Sequence, residues 1–298
     1  MCGWQRLGGL GVSLLLAFAG MPTLAASQAV VERVQMPAWL ERAGRSQPLE
    51  VNMEVKNGDR ILTGRGARAT LKLAEGSTVK LGENAALGFY SRSLKPQRVF
   101  KGALDVVKGA FRLTTAAAAG SAASRDLSIR VGTATAGIVS LGGTDLWGKS
   151  DSDRDLILLI EGKISLRHGG EAVAIEPMTL FVSPRNAAPL PVAPVASVDP
   201  EQFRRWVRET EALPGEGMTR RGGQWKVLLA RAGSEAEALA VYDKARAAGY
   251  AAKIRPRSAD GGWVYDVLLA QLASEQEAVV LAYKVNSQLG YPAEPIPH

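Results

Sequence analysis

A phrase written twice in the last quarter of the chain limits its fold more than any other feature. The first copy runs Val227-Leu228-Leu229-Ala230, then Ser234-Glu235-Ala236-Glu237-Ala238, then Gly249-Tyr250. The second runs Val267-Leu268-Leu269-Ala270, then Ser274-Glu275-Gln276-Glu277-Ala278, then Gly290-Tyr291. Each copy reads as strand, turn, helix and turn. The pattern predicts strands over 224–231, 250–257 and 263–271, helices over 234–248 and 274–289, and a short, proline-limited edge strand over 291–297. Ser234 and Ser274 are expected helix N-caps, with Glu237 and Glu277 at the capping-box place, and Gly249 and Gly290 are expected stops.

This order, βαββαβ, specifies a small α+β domain: a four-stranded antiparallel sheet with two helices on one face. Side chains alternate across a strand, so Trp225, Val227, Leu229, Trp263, Tyr265, Val267 and Leu269 are expected beneath the helices. The other face, left open, then receives Lys226, Leu228, Ala230, Lys253, Arg255, Arg257, Val264, Asp266 and Leu268. Leucines among basic residues on an open sheet suggest a binding platform. The candidate ligand-binding residues are Lys226, Leu228, Lys253, Arg255, Arg257, Asp266 and Leu268, with a glycan or a protein as ligand.

Upstream, residues 27–185 have the texture of an all-β domain, a roll, solenoid or sandwich. Short alternating runs such as Ala69–Leu73 and Val79–Leu81 recur between turn signals, of which Asn57-Gly58-Asp59 and Glu75-Gly76-Ser77 are examples. The small-residue run 114–124 is expected to be an exposed loop. Asp151-Ser152-Asp153-Arg154-Asp155 resembles the start of a calcium loop but has Leu156 at the sixth place and Gly162 at the twelfth, so a hairpin turn is expected and no metal.

The first 26 residues read as a secretory signal: Arg6, an apolar run from Leu10 to Phe18, and small residues for cleavage near Ala25 or Ala26. That run is too short to span a hydrocarbon core about 30 Å thick, and no later stretch is long enough either. The mature chain is therefore expected in the periplasm or cell envelope without a transmembrane segment. The single cysteine, Cys2, leaves with the signal, so no disulfide or thiolate site remains. A net charge of +7 favours anionic partners or serves solubility. Export argues against nucleic acid and towards anionic envelope polymers.

Residues 186–222 form a linker. Prolines 189, 191, 194 and 200 favour an extended spacer. Asp199-Pro200 then opens a short helix with Phe203, Trp206 and Val207 on one face, expected to pack back onto the β body rather than to dock elsewhere. Gly217–Gly223 reads as a flexible link to the tail domain at 223–298.

Two family resemblances follow from these residues. The run Val55–Thr63, with Gly58-Asp59-Arg60-Ile61-Leu62-Thr63, the segment Ala67–Ser77 ending in Glu75-Gly76-Ser77, the turn Gly143-Thr144-Asp145 and the strand Leu158–Gly162 together resemble a FecR domain over about residues 30–185. The resemblance implies an exported, β-rich interaction or signalling module. The duplicated tail resembles a SPOR (sporulation-related) domain over 223–298, which implies binding to peptidoglycan glycan strands stripped of stem peptides. Envelope or division proteins are further possible partners. Leu228 and Leu268 stand where that family usually has polar groups, and each glycan hydroxyl left unpaired would cost about 1–3 kcal/mol. The alternative is thus an adaptor or signalling protein whose sheet has lost glycan binding.

No cofactor and no catalytic residue is expected. The two histidines, His168 and His298, lie in a turn and at the last position, and neither Ser-x-x-Lys nor Gly-x-Ser-x-Gly occurs.

Overall fold

The computed structural model describes residues 29–91, 100–115, 125–138, 143–168, 170–185, 198–259 and 261–297. The segment expected to be a signal, most of the small-residue run, most of the proline-rich spacer and His298 lie outside them.

The body contributes sixteen described strands: β1 (Ala29–Gln35), β2 (Ala38–Arg42), β3 (Arg45–Pro48), β4 (Glu54–Val55), β5 (Arg60–Thr63), β6 (Arg68–Leu73), β7 (Thr78–Leu81), β8 (Ala86–Ser91), β9 (Phe100–Thr115), β10 (Arg125–Val131), β11 (Ala134–Ile138), β12 (Thr144–Ser150), β13 (Arg154–Glu161), β14 (Ile164–His168), β15 (Glu171–Ile175) and β16 (Thr179–Pro184). They form two sheets. One runs β16–β13–β12–β9–β7–β6–β1. The other runs β3–β2–β5–β8–β9–β10–β11–β14–β15. The β9–β10 pair is parallel. Thr114 and Thr115, expected in a loop, end β9 instead, because β12 offers them a ladder.

Strand β9 belongs to both sheets. Its first half pairs with β8 and β10, and from Gly109 onward it pairs with β12 and β7. Gly109 turns this corner with φ +80°, and a Cβ there would lie 2.5 Å from the Cα of Ala85. The corner brings the inner faces together. Leu71, Leu81, Phe111, Leu113, Ile157 and Phe181 of one sheet and Leu40, Ile61, Leu87, Phe89, Ile129 and Leu166 of the other are buried in a single core.

Helix α1 (Pro200–Thr210) starts where the sequence places it, with the Asp199 carboxylate accepting the Gln202 N–H at 2.9 Å. It packs back on the body, where Phe203 and Trp206 meet a second, smaller apolar cluster.

The tail comprises β18 (Trp225–Ala232), α2 (Glu235–Ala247), β19 (Lys253–Ala259), β20 (Gly262–Leu272), α3 (Glu275–Leu289) and β21 (Glu294–Pro297), preceded by β17 (Met218–Arg220). Its strands lie in the order β21–β18–β20–β19, all antiparallel. Ser234 and Ser274 cap their helices, each accepting the N–H of the residue three positions on.

The segment expected to be a flexible link is structured. Met218–Arg220 pairs with β1, and Thr219 also pairs with Leu272 of β20, so one ladder joins body to tail. The Thr219 hydroxyl donates to the Val34 carbonyl at 2.9 Å. Glu277, expected to complete a capping box, turns away from its own helix. Its carboxylate, on a residue only 3% exposed, accepts N–H groups from Gly215 at 2.7 Å, Gly217 at 2.6 Å and Met218 at 2.8 Å. Three aimed backbone donors stabilise a buried anion better than one cap amide would.

The body meets the tail elsewhere too. The Ala38 N–H donates to the Gly249 carbonyl at 3.2 Å, and Trp39 lies so close to Gly249 that a Cβ there would be 2.5 Å from its ring. Tyr250, next in the chain, is fully buried and donates its hydroxyl to Gln288. Burial pushes its phenol up to about 12.

Candidate functional site

The sheet face opposite α2 and α3 is the candidate site, and its make-up depends on strand register. Between β19 and β20 the pairs Lys253–Leu268, Arg255–Asp266 and Arg257–Val264 place these six residues on one face. Between β20 and β18 the register slips twice, near Trp225 and at Leu229. The second slip is a β-bulge, which sends two successive residues to nearly the same side. Leu228 therefore shares the open face with Leu268, whereas Ala230, expected there, stands opposite Val267 on the helix face. Arg231 takes its place, opposite Asp266. Alternation alone missed Arg231, because a bulge leaves no mark in the hydrophobic pattern here. At the outer edge, Glu294 and Ile296 stand opposite Leu228 and Lys226.

The face differs from an open platform at four expected positions. Lys226 is 5% exposed, Leu228 8%, Leu268 4% and Asp266 8%. Register supplies the reason. Leu268 lies between Leu228 and Lys253, and Leu228 between Leu268 and Glu294, so cross-strand neighbours about 5 Å away wall in both leucines. Trp263, expected beneath the helices, is 61% exposed, since it lies near the hairpin end of β20.

What reaches solvent is the charge of Arg231, Lys253, Arg255 and Arg257. Asp266 is gripped by Arg231 at 3.2 Å and by Arg257 at 2.8 Å. Burial alone would raise its carboxyl, but hydrogen bonds and charge from these two guanidinium groups hold it below the usual carboxylate range. Lys253 pairs at 3.0 Å with Glu50 of the body, which also meets Arg246 at 3.4 Å. Lys226 and Arg255 differ from these. Among the described residues no acid pairs with Lys226, whose ammonium is held below its ordinary value by burial and then by the Arg255 charge. Among the described residues Arg255 has no ion-pair partner either. The face thus presents two ion-paired arginines and the exposed Arg255, unpaired among the described residues, around Leu228, Leu268 and Lys226, which their neighbours cover.

In the body, Asp155 does not serve a cation loop. It points inward from β13 and binds Ser150 at 2.9 Å and Arg185 at 3.0 Å. Among the described residues no group of three or more His, Cys, Asp or Glu side chains could hold a metal ion. Nor, among them, is any helix long and apolar enough to cross a membrane.

A comparison with curated proteins gave no match. Among solved structures, two crystal structures of a proposed anti-sigma factor from Parabacteroides distasonis ATCC 8503, at 1.65 and 2.50 Å resolution, share 11% identity with this chain at a TM-score of 0.38. They cover 78% of this chain and 92% and 91% of their own. The family match does not reach the tail. It covers residues 59–165, from the start of β5 into β14, and there the chain is similar to the family described as FecR protein.

Proposed function

We propose that this protein is an exported, non-enzymatic envelope protein of a signalling or regulatory kind, held to the cell wall by its tail sheet through peptidoglycan glycan strands. The FecR match over 59–165 supports the envelope and regulatory setting. The observation that carries the ligand is the exposed Arg255, which has no ion-pair partner among the described residues and whose charge adds to that of buried Lys226 beside it. Glycan stripped of stem peptides bears a carboxylate on each muramic residue between apolar sugar faces. A sheet face with uncompensated positive charge suits those carboxylates. The test is retention of the full chain on purified sacculi before and after removal of stem peptides, with Lys226→Glu/Arg255→Glu beside it. Retention should rise on stripping and fall at least tenfold in the variant. No retention of the unaltered chain would overturn the reading.

A second reading, a protein adaptor, draws on Leu228 and Leu268, which offer no hydrogen bond to a sugar hydroxyl. Under it, sacculi retain neither chain.

A further inference from the structure

Another surface has the makings of a binding site: the outer face of the sheet beneath α1. There Ala110, Trp147, Leu158 and Leu180 form a buried cluster separate from the main core, closed over by partly buried Phe203 and Trp206. Trp147 is completely buried and stacks on Trp206, with ring centroids 4.9 Å apart and planes 13° from parallel. Its indole N–H nevertheless has no acceptor among the described residues.

Charge holds the C-terminal end of α1. Glu211 accepts from Lys80 at 2.7 Å and Arg112 at 2.9 Å, and Glu209 meets Lys149 at 3.2 Å. Acids at a helix C-terminus run against its dipole, so these two serve the cations on the sheet and not the helix itself. A cleft of about 360 Å³ opens beside this end, lined by Gly82, Lys108, Gly109, Lys149 and Glu209 among others.

We infer that this face is a groove for an amphipathic helix of a protein partner, and that α1 is its replaceable occupant in cis. The fitting partner helix carries two aromatic residues three positions apart, as Phe203 and Trp206 are. It carries acids at its C-terminal end, to meet Lys80, Arg112 and Lys149. Unlike α1, it brings a hydrogen-bond acceptor to the Trp147 indole. Helix-in-groove recognition rests on such spaced anchors. The unmade hydrogen bond is what makes α1 displaceable, because a buried donor without a partner is a penalty of the closed state alone.

A fluorescent synthetic peptide of residues 198–212 serves as the probe, with binding followed by anisotropy on the full chain. Two variants release α1 by independent means. Gly82→Ala sets a methyl 2.7 Å from the Glu209 carbonyl oxygen and lifts the helix end. Glu209→Gln/Glu211→Gln removes the charge clamp and leaves the groove untouched. Each should bind the probe at least tenfold more tightly than the unaltered chain, with Trp emission shifted to the red as the stack opens. Should Gly82→Ala fail to fold, the charge variant decides alone. Equal affinity for the released and unaltered chains, or no binding to a folded released chain, would overturn the groove.

Discussion

Replacing Glu277 tests the junction between body and tail most directly. Its carboxylate takes three backbone N–H groups, from Gly215, Gly217 and Met218, at 2.6–2.8 Å. Hydrogen bonds to a charged group contribute about 1.5–3 kcal/mol each, so simple addition would give about 5–9 kcal/mol. Water can reach the Gly215 side once the carboxylate is gone, which lowers the expected loss for Glu277→Ala to about 3–5 kcal/mol. Glu277→Gln keeps one oxygen but turns an amide N–H₂ towards a donor, and should cost about 2 kcal/mol. Glu237 holds the equivalent place in the first copy of the repeat, yet it is exposed and among the described residues its carboxylate accepts only the Gly233 N–H at 3.2 Å. Glu237→Ala should therefore cost about 0.5 kcal/mol. Urea unfolding of the full chain at neutral pH measures all three, and hydrogen exchange should show the Gly217 and Met218 amides opening in Glu277→Ala. A Glu277→Ala chain within about 1 kcal/mol of Glu237→Ala would refute the idea that this carboxylate fastens the tail.

Two other substitutions probe the remaining joints. Gly109→Ala places a left-handed, crowded residue at the sheet corner and should lower stability by at least about 2 kcal/mol, read as a fall in the thermal midpoint. Tyr250, neutral and buried, has its folded value raised to about 12 from 10.0, so its stabilising share is full below pH 10 and is lost as the pH climbs to 12. That loss is about 3 kcal/mol, and alkaline unfolding of Tyr250→Phe should lack it. Phenolate absorbance should also show a late-titrating component that Tyr250→Phe lacks.

The parts of the fold that local chemistry dictates were legible in the sequence. Alternation in Ala69–Leu73 places Leu71 and Leu73 inward, and both are buried. Ser234, Ser274 and Asp199 cap helices because a short side-chain oxygen reaches the next free N–H whatever lies beyond. The linker was not legible. Gly217–Gly223 has the composition of a hinge, yet Thr219 finds Val34 at a separation of 185 residues, and no local pattern encodes that meeting. The candidate face was legible in part. Lys253, Arg255 and Arg257 are exposed on it as alternation predicts. The bulge at Leu229 exchanged Ala230 for Arg231, and cross-strand neighbours covered the two leucines.

The two copies of the repeat show why local and distant information part company. Gly249-Tyr250 and Gly290-Tyr291 occupy matching places, and both glycines adopt positive φ because a chain leaving a helix needs it. Their tyrosines then diverge. Tyr250 is sealed where the body docks, while Tyr291 stays partly exposed with the Lys244 ammonium 4.9 Å from its ring centre. Glu237 and Glu277 diverge in the same sense, one at the surface and one beneath the junction. A duplicated sequence thus fixes what each half does within its own strand and helix, and the arriving body decides what each half does beyond them. The faces that remain available to a ligand are those the body leaves uncovered. On the open sheet face Glu50 of the body claims Lys253, and Arg255 stays exposed with no ion-pair partner among the described residues.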